Sequence, residues 1–85
     1  MNEQEIKERV NKILEEAFEL TPEKLVPEAN LRDELGLDSL DGVDLVVALE
    51  KAFQVKIEEA EARQIDTVGK IYVKISELIQ KKQSS

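Results

Sequence analysis

Leu35-Gly36-Leu37-Asp38-Ser39-Leu40-Asp41 leads a long connection into what reads as the first turn of a helix, and it carries one hydroxyl among carboxylates and leucines. The leucines beside the serine, Leu37 and Leu40, have no core role evident from spacing. Ser39 is not a nucleophile activated by the usual route, because the chain contains neither a histidine nor a cysteine to serve as its base or replace it. It is better placed to be acted upon. A helix start offers unsatisfied N–H groups and the positive end of the helix dipole, so a phosphate ester on this hydroxyl would be held favourably. The surrounding carboxylates then suit contact with a basic partner.

The helix that follows, from 39 to 53, carries two apolar faces. Leu45, Val46, Leu49 and Phe53 cluster on the helical wheel and should face a core, whereas Leu40, Val43 and Val47, spaced i, i+3 and i+7, form a second stripe. Spacing alone allows that stripe to be buried in a bundle or exposed. Asp41, Asp44 and Glu50 lie beside it and would be costly to bury unpaired, which favours exposure. A stripe of small apolar residues ringed by acids describes a docking face.

Upstream, Ile6, Val10, Ile13, Leu14, Ala17 and Phe18 recur at helical spacing, predicting an amphipathic helix over about 3–19. Thr21-Pro22 disfavours its continuation, and Pro27 keeps the connection to Leu37 out of regular helix apart from a short turn. Loops of this length are uncommon unless functional. Leu25, Val26, Ala29, Leu31, Leu35 and Leu37 supply apolar anchors that would pack it over the other elements. Downstream, residues 59–64 form at most a turn or two of helix, dependent on packing by Ile57, Ala62 and Ile65. Asp66 or Thr67 then caps a last helix over 67–80, with Val68, Ile71, Tyr72, Ile75, Leu78 and Ile79 inward, and 81–85 reads as a flexible polar tail. The fold class expected is all-α, a four-helix bundle with a long loop between helices 1 and 2 and a short third helix.

The 85 residues make one domain with one modest core. The absence of cysteine removes disulfides and thiolate metal sites, consistent with a reducing compartment. No apolar run is long enough to cross a bilayer and the start, Met1-Asn2-Glu3-Gln4-Glu5, is unlike a signal peptide, so a cytoplasmic monomer without membrane insertion is expected. Nineteen Asp and Glu against 12 Lys and Arg give a net charge of −7, which argues against nucleic acid as partner. From Glu28 to Glu50, seven acids (Glu28, Asp33, Glu34, Asp38, Asp41, Asp44, Glu50) face one base, Arg32, so this segment supplies −6 of the −7. That field is centred on Ser39. It is not a dedicated metal site: Asp38, Asp41 and Asp44 recur every third residue, unlike the alternation and terminal glutamate of an EF-hand loop.

Asp38-Ser39-Leu40-Asp41, then Val43-Asp44-Leu45 and Ala48-Leu49-Glu50, resemble the attachment motif and second helix of the acyl carrier proteins. The resemblance continues in Glu5 to Phe18, Ala29 to Leu37, Phe53 to Ile65 and Thr67 to Ile79, and so covers nearly the whole chain. Gly36-Leu37-Asp38-Ser39-Leu40 is closer to acyl carriers than to peptidyl carriers, which often have histidine before the serine. The resemblance implies that Ser39 carries 4′-phosphopantetheine, transferred from coenzyme A by a phosphopantetheinyl transferase. Acyl groups would ride as thioesters on its terminal thiol to synthases, reductases and acyltransferases of fatty-acid or related lipid or polyketide synthesis. The protein itself would not be an enzyme. Asp38, Leu40, Asp41, Val43, Asp44, Val47 and Glu50 would meet basic patches on those partners, and Leu45, Val46, Leu49, Ala62 and Ile65 would shelter the acyl chain. Three positions depart from the family's habit: Gly42 where a side chain is usual, and Lys51 and Arg63 where acids are common. The competing reading is an unmodified acidic helical adaptor in which Ser39 is only a helix cap or a phosphosite.

Overall fold

The computed structural model describes residues 2–84, with side chains as far as Lys82. Its four α-helices are α1 (Glu3–Phe18), α2 (Ser39–Phe53), α3 (Glu59–Arg63) and α4 (Val68–Ser84), with a 3₁₀ turn at Pro22–Lys24 in the first connection. The all-α bundle with a long first loop and a short third helix is therefore the observed fold.

Helix α1 starts because the Asn2 side chain accepts the Glu5 N–H at 2.9 Å, satisfying one orphan donor of the first turn. It stops at Phe18, a residue before the expected end, because Glu19 turns into the left-handed region (φ 54) and reverses the chain before Thr21-Pro22. Ile6, Val10 and Leu14 lie on its inward face, while Ala17, assigned to that face by spacing, is exposed. That face packs on α4 and α2. Val68, Ile71, Tyr72, Ile75 and Ile79 complete the core from α4, and Leu45, Leu49 and Phe53 from α2. The Tyr72 hydroxyl donates to Asn11 Oδ1 and the Lys7 ammonium lies 5.9 Å from the ring centre, so α1 also holds the polar end of this buried ring. Burial raises the Tyr72 pKa above 10.0, against the opposing effect of the Asn11 bond.

The long loop is fixed by its apolar residues and by backbone pairing. Leu25, Ala29, Leu31, Leu35 and Leu37 are all buried; Val26 is the one anchor that faces solvent. Leu37, one of the expected anchors, thus belongs to the core. The loop's carbonyls meet donors that α4 cannot satisfy for itself: Val68 N–H on the Ala29 carbonyl (3.1 Å) and Gly69 N–H on Pro27 (2.9 Å). Leu31 N–H in return reaches the Asp66 carbonyl at 2.9 Å, completing a short antiparallel bridge at Asn30 and Thr67. Thr67 is the side-chain cap of α4, its Oγ1 accepting from Lys70 N–H at 3.3 Å, while Asp66 pairs with the Lys70 ammonium at 2.9 Å.

At its other end α4 corrects an expectation. The flexible tail expected at 81–85 is helical as far as Ser84, and Ser85 lies outside the described residues. No proline or glycine interrupts the run, Lys81 and Lys82 suit the negative end of the helix dipole, and the Lys82 ammonium donates to the Gln54 carbonyl at 2.9 Å. That contact joins the ends of α2 and α4.

Two glycines distinguish open surface from close packing. An added Cβ at Gly42 meets nothing within 4 Å, whereas at Gly69 it would stand 3.0 Å from the Pro27 oxygen and 3.3 Å from Pro27 Cβ. Gly42→Ala should therefore stabilise the fold by about 0.5–1 kcal/mol through helix propensity alone. Gly69→Ala should forfeit that gain and fall at or below wild type, because the loop must retreat. Urea unfolding of both variants checks this.

Candidate functional site

The chain approaches the site through Leu35-Gly36-Leu37, where two buried leucines flank a glycine at φ +70, a conformation that a side chain would strain. Asp38 then takes an extended backbone (φ −91, ψ −172) and is the N-cap of α2. Its carboxylate accepts the Asp41 N–H at 2.9 Å, and the Asp41 carboxylate accepts the Asp38 N–H at 3.2 Å. The two acids thus form a reciprocal capping box. Ser39 is the first residue inside the helix and is exposed. Because Asp38 does the capping, the expectation that Ser39 is only a helix cap is corrected: its hydroxyl is not spent on the helix. Among the described residues the one side-chain bond it receives comes from Arg32, whose Nη2 donates to Oγ at 3.5 Å, the outer limit of a hydrogen bond.

Along α2, Leu40 (77% exposed), Val43 (61%) and Val47 (41%) do form an outward stripe, with Asp44 exposed beside it. Asp41 is half-buried in the capping box. Glu50 differs more from the sequence reading. It is half-buried, and its Oε2 accepts the Ile57 N–H at 2.8 Å, tying the end of α2 to the link before α3. Its nominal position beside the stripe is occupied by a structural task that helical spacing could not reveal, since the partner is a backbone group on another segment.

A groove of about 890 Å³ opens at Ser39 between the loop, α2 and α3. Of the five residues expected to shelter an acyl chain, Leu45, Val46, Ala62 and Ile65 line it. Leu49 does not; it is fully buried in the core. Sequence reasoning missed Leu37 and Ile57, and it assigned Val43 and Val47 to the docking face alone although they also form the groove wall. The helical periodicity of α2 contained the signal for the valines, whose stripe adjoins Val46 on the helical wheel. Leu37 and Ile57 enter from loop segments, where no periodicity exists.

The wall formed by α3 is lightly held. The helix has five residues, no side-chain N-cap and no fully buried residue. Arg63 and Glu59 pair within the helix at 2.6 Å, and the Glu61–Lys74 pair at 3.2 Å ties it to α4. Glu61 is the main reason that the Lys74 pKa is raised, with Glu77 adding to it against burial. Lys51 and Gly42, the other departures from family habit, are exposed and half-buried respectively, Gly42 on the groove rim beside Ser39. Among the described residues no group of three or more acids is placed to hold a metal ion, and no helix is long and apolar enough to cross a membrane.

Comparison with known proteins gives the family of the chain. The family model for the phosphopantetheine attachment site matches residues 8–72. An acyl carrier protein of Thermosynechococcus vestitus is 46% identical over 80% of this chain and 84% of its own length. Acyl carrier protein 2 of Ralstonia nicotianae is 38% identical over 93% and 98%. A solved structure from Mycobacterium tuberculosis, provisionally named an acyl carrier protein, superposes with a TM-score of 0.78 at 30% identity, over 84% of this chain and 95% of that one. The chain belongs to the acyl carrier protein family, a family of phosphopantetheine-bearing carriers and not of enzymes. Its function is to carry acyl groups to acyl-processing enzymes.

The groove's dependence on Glu50 can be tested directly. Glu50→Ala should cost about 1–3 kcal/mol and accelerate amide exchange at Ile57, because a part-buried donor loses a charged acceptor. Glu50→Gln, which keeps an acceptor oxygen, should retain most of the protection in a hydrogen-exchange measurement.

Proposed function

We propose that Ser39 is the attachment residue and that 4′-phosphopantetheine reaches it from coenzyme A through a phosphopantetheinyl transferase. The observation that carries this reading is the division of labour at the start of α2: Asp38 and Asp41 cap the helix, and the exposed Ser39 hydroxyl is left over at the mouth of an apolar groove. In the transfer, Ser39 Oγ forms a bond to the phosphorus that bears the pantetheine. The phosphoanhydride bond to the nucleotide breaks, adenosine 3′,5′-bisphosphate leaves, and the hydroxyl proton passes to a base of the transferase. This chain has no histidine or cysteine to supply such a base, so the chemistry belongs to the partner. Once attached, the arm supplies the thiol that the cysteine-free chain lacks, and Leu45, Val46, Ala62 and Ile65 offer an apolar wall to the chain it bears.

The docking face extends from Ser39 along Leu40, Val43, Asp44 and Val47, with the outer carboxylate edges of Asp38 and Asp41 at its serine end. Small apolar residues let a partner approach closely, while the acids steer basic patches toward it. Screened surface pairs are individually weak, so partners exchange readily, as a shuttle requires. Glu50 adds charge to this field, but its bond to Ile57 makes it the least available of the acids for direct contact. The setting is a monomer in the cytoplasm serving fatty-acid or related lipid synthesis.

Incubation of the unmodified protein with coenzyme A and a broad-specificity transferase should add the mass of one arm to wild type and none to Ser39→Ala. Because Ser39 is not the cap, Ser39→Ala should unfold within roughly 0.5 kcal/mol of wild type. Arm mass appearing on Ser39→Ala would assign the attachment elsewhere.

Charge steering has its own test. Asp44→Lys, which leaves the capping box intact, should slow transferase turnover several-fold at low salt, and the difference should shrink as ionic strength rises. Equal rates for the two proteins at low salt would remove Asp44 from the docking face.

A further inference from the structure

Arg32 is the one base among the seven acids between Glu28 and Glu50. Its guanidinium nevertheless pairs with none of them: no carboxylate lies within salt-bridge distance among the described residues, and its Nη2 turns to the Ser39 hydroxyl. The backbone beneath it is firmly placed. Asn30 Oδ1 accepts the N–H groups of Arg32 (2.9 Å) and Asp33 (2.8 Å), and the Asn30 carbonyl accepts those of Glu34 and Leu35. On the preceding residue, Leu31 is buried and bonded to Asp66. Thus a cation on an ordered turn reaches out of an acidic surface to the one atom that receives the prosthetic group.

The contact with a neutral hydroxyl at 3.5 Å is poor use of a guanidinium, whose planar fork matches two oxygens of a phosphate or carboxylate. Esterification of Oγ would put anionic oxygens two bonds beyond the atom that Arg32 already contacts. It would also add a negative charge where the chain is most negative, and Arg32 is the nearest means of offsetting it. The side chain borders the groove together with Leu31 and Leu37.

We propose that Arg32 is a positioning residue that pairs with the phosphodiester of the Ser39-linked arm and directs the arm along the loop side of the groove. This rests on Ser39 being the attachment residue. Arg32→Lys would retain charge but lose the fork, and Arg32→Ala would leave the arm's phosphate facing acids alone.

The test compares each protein with its own loaded form, so any effect of the substitution on the fold cancels. Wild type, Arg32→Lys and Arg32→Ala are loaded with coenzyme A and a transferase, and intact mass verifies the arm. Loading should lower the melting temperature of Arg32→Ala by about 2–4 °C more than that of wild type at low salt, the size of an exposed charge-assisted pair in a small domain. Arg32→Lys should fall between, and the differences should fade at high salt. In wild type the Arg32 Nε–H resonance should shift on loading. A loading effect equal in all three proteins, with an unmoved Nε–H, would overturn the role of Arg32 while leaving the attachment intact. Failure of wild type to load would instead overturn the reading on which it rests.

Discussion

The backbone pairing of the long loop with the first turn of α4 is the constraint on which the site depends. Pro27, Ala29 and Asp66 provide carbonyls and Leu31, Val68 and Gly69 provide donors, so one strip of polypeptide closes the loop and caps a helix together. This serves both partners: α4 begins with donors that it cannot satisfy internally, and an irregular loop packed on a core needs partners for its own amides. Gly69 admits the loop at a distance that a Cβ would contest. With Ala29 and Leu31 so anchored, Leu35 and Leu37 drop into the core and Ser39 emerges at a defined place.

From that place the acidic residues divide their tasks. Asp38 and Asp41 hold each other's backbone amides, Glu50 holds the Ile57 amide, and Asp44 remains at the surface. Carboxylates near the N-terminus of α2 are favourable to the helix dipole as well as to its caps, which lets the region tolerate a charge density that would otherwise oppose folding. The same acids are consequently structural on their inner edges, and in the proposed docking face they present their outer edges to a partner. A carrier that must be read by several enzymes gains from such a face, because its orientation is set by the helix start and not by flexible side chains alone.

The groove combines a firm wall with a loosely held one. Helix α2 is anchored by Leu45, Leu49 and Phe53, and α3 is joined to the rest through Ile57, Ala62, Ile65 and a few polar ties. Five residues cannot sustain a helix without tertiary support. An apolar chain entering between them would therefore displace the side whose removal costs least. Exposed Val43 and Val47 continue that wall to the surface, making the exposed stripe and the groove one continuous apolar strip.

Sequence alone determined the helices, their order and the candidate serine, because amphipathic periodicity, prolines and capping residues act over a few residues and leave their mark in local spacing. It also located the exposed stripe of Leu40, Val43 and Val47, since the adjacent acids made burial costly. Tertiary structure alone decided which serine-side residue was the cap, that Glu50 holds Ile57, that Leu49 stays out of the groove while Leu37 and Ile57 line it, and that Arg32 meets Ser39. It likewise decided that α4 runs on past Gln80, where the Lys82 contact with Gln54 joins residues far apart in the chain. Each of these depends on backbone groups or loop side chains from separate segments meeting in space. Such meetings have no period, and the folded chain alone brings them together.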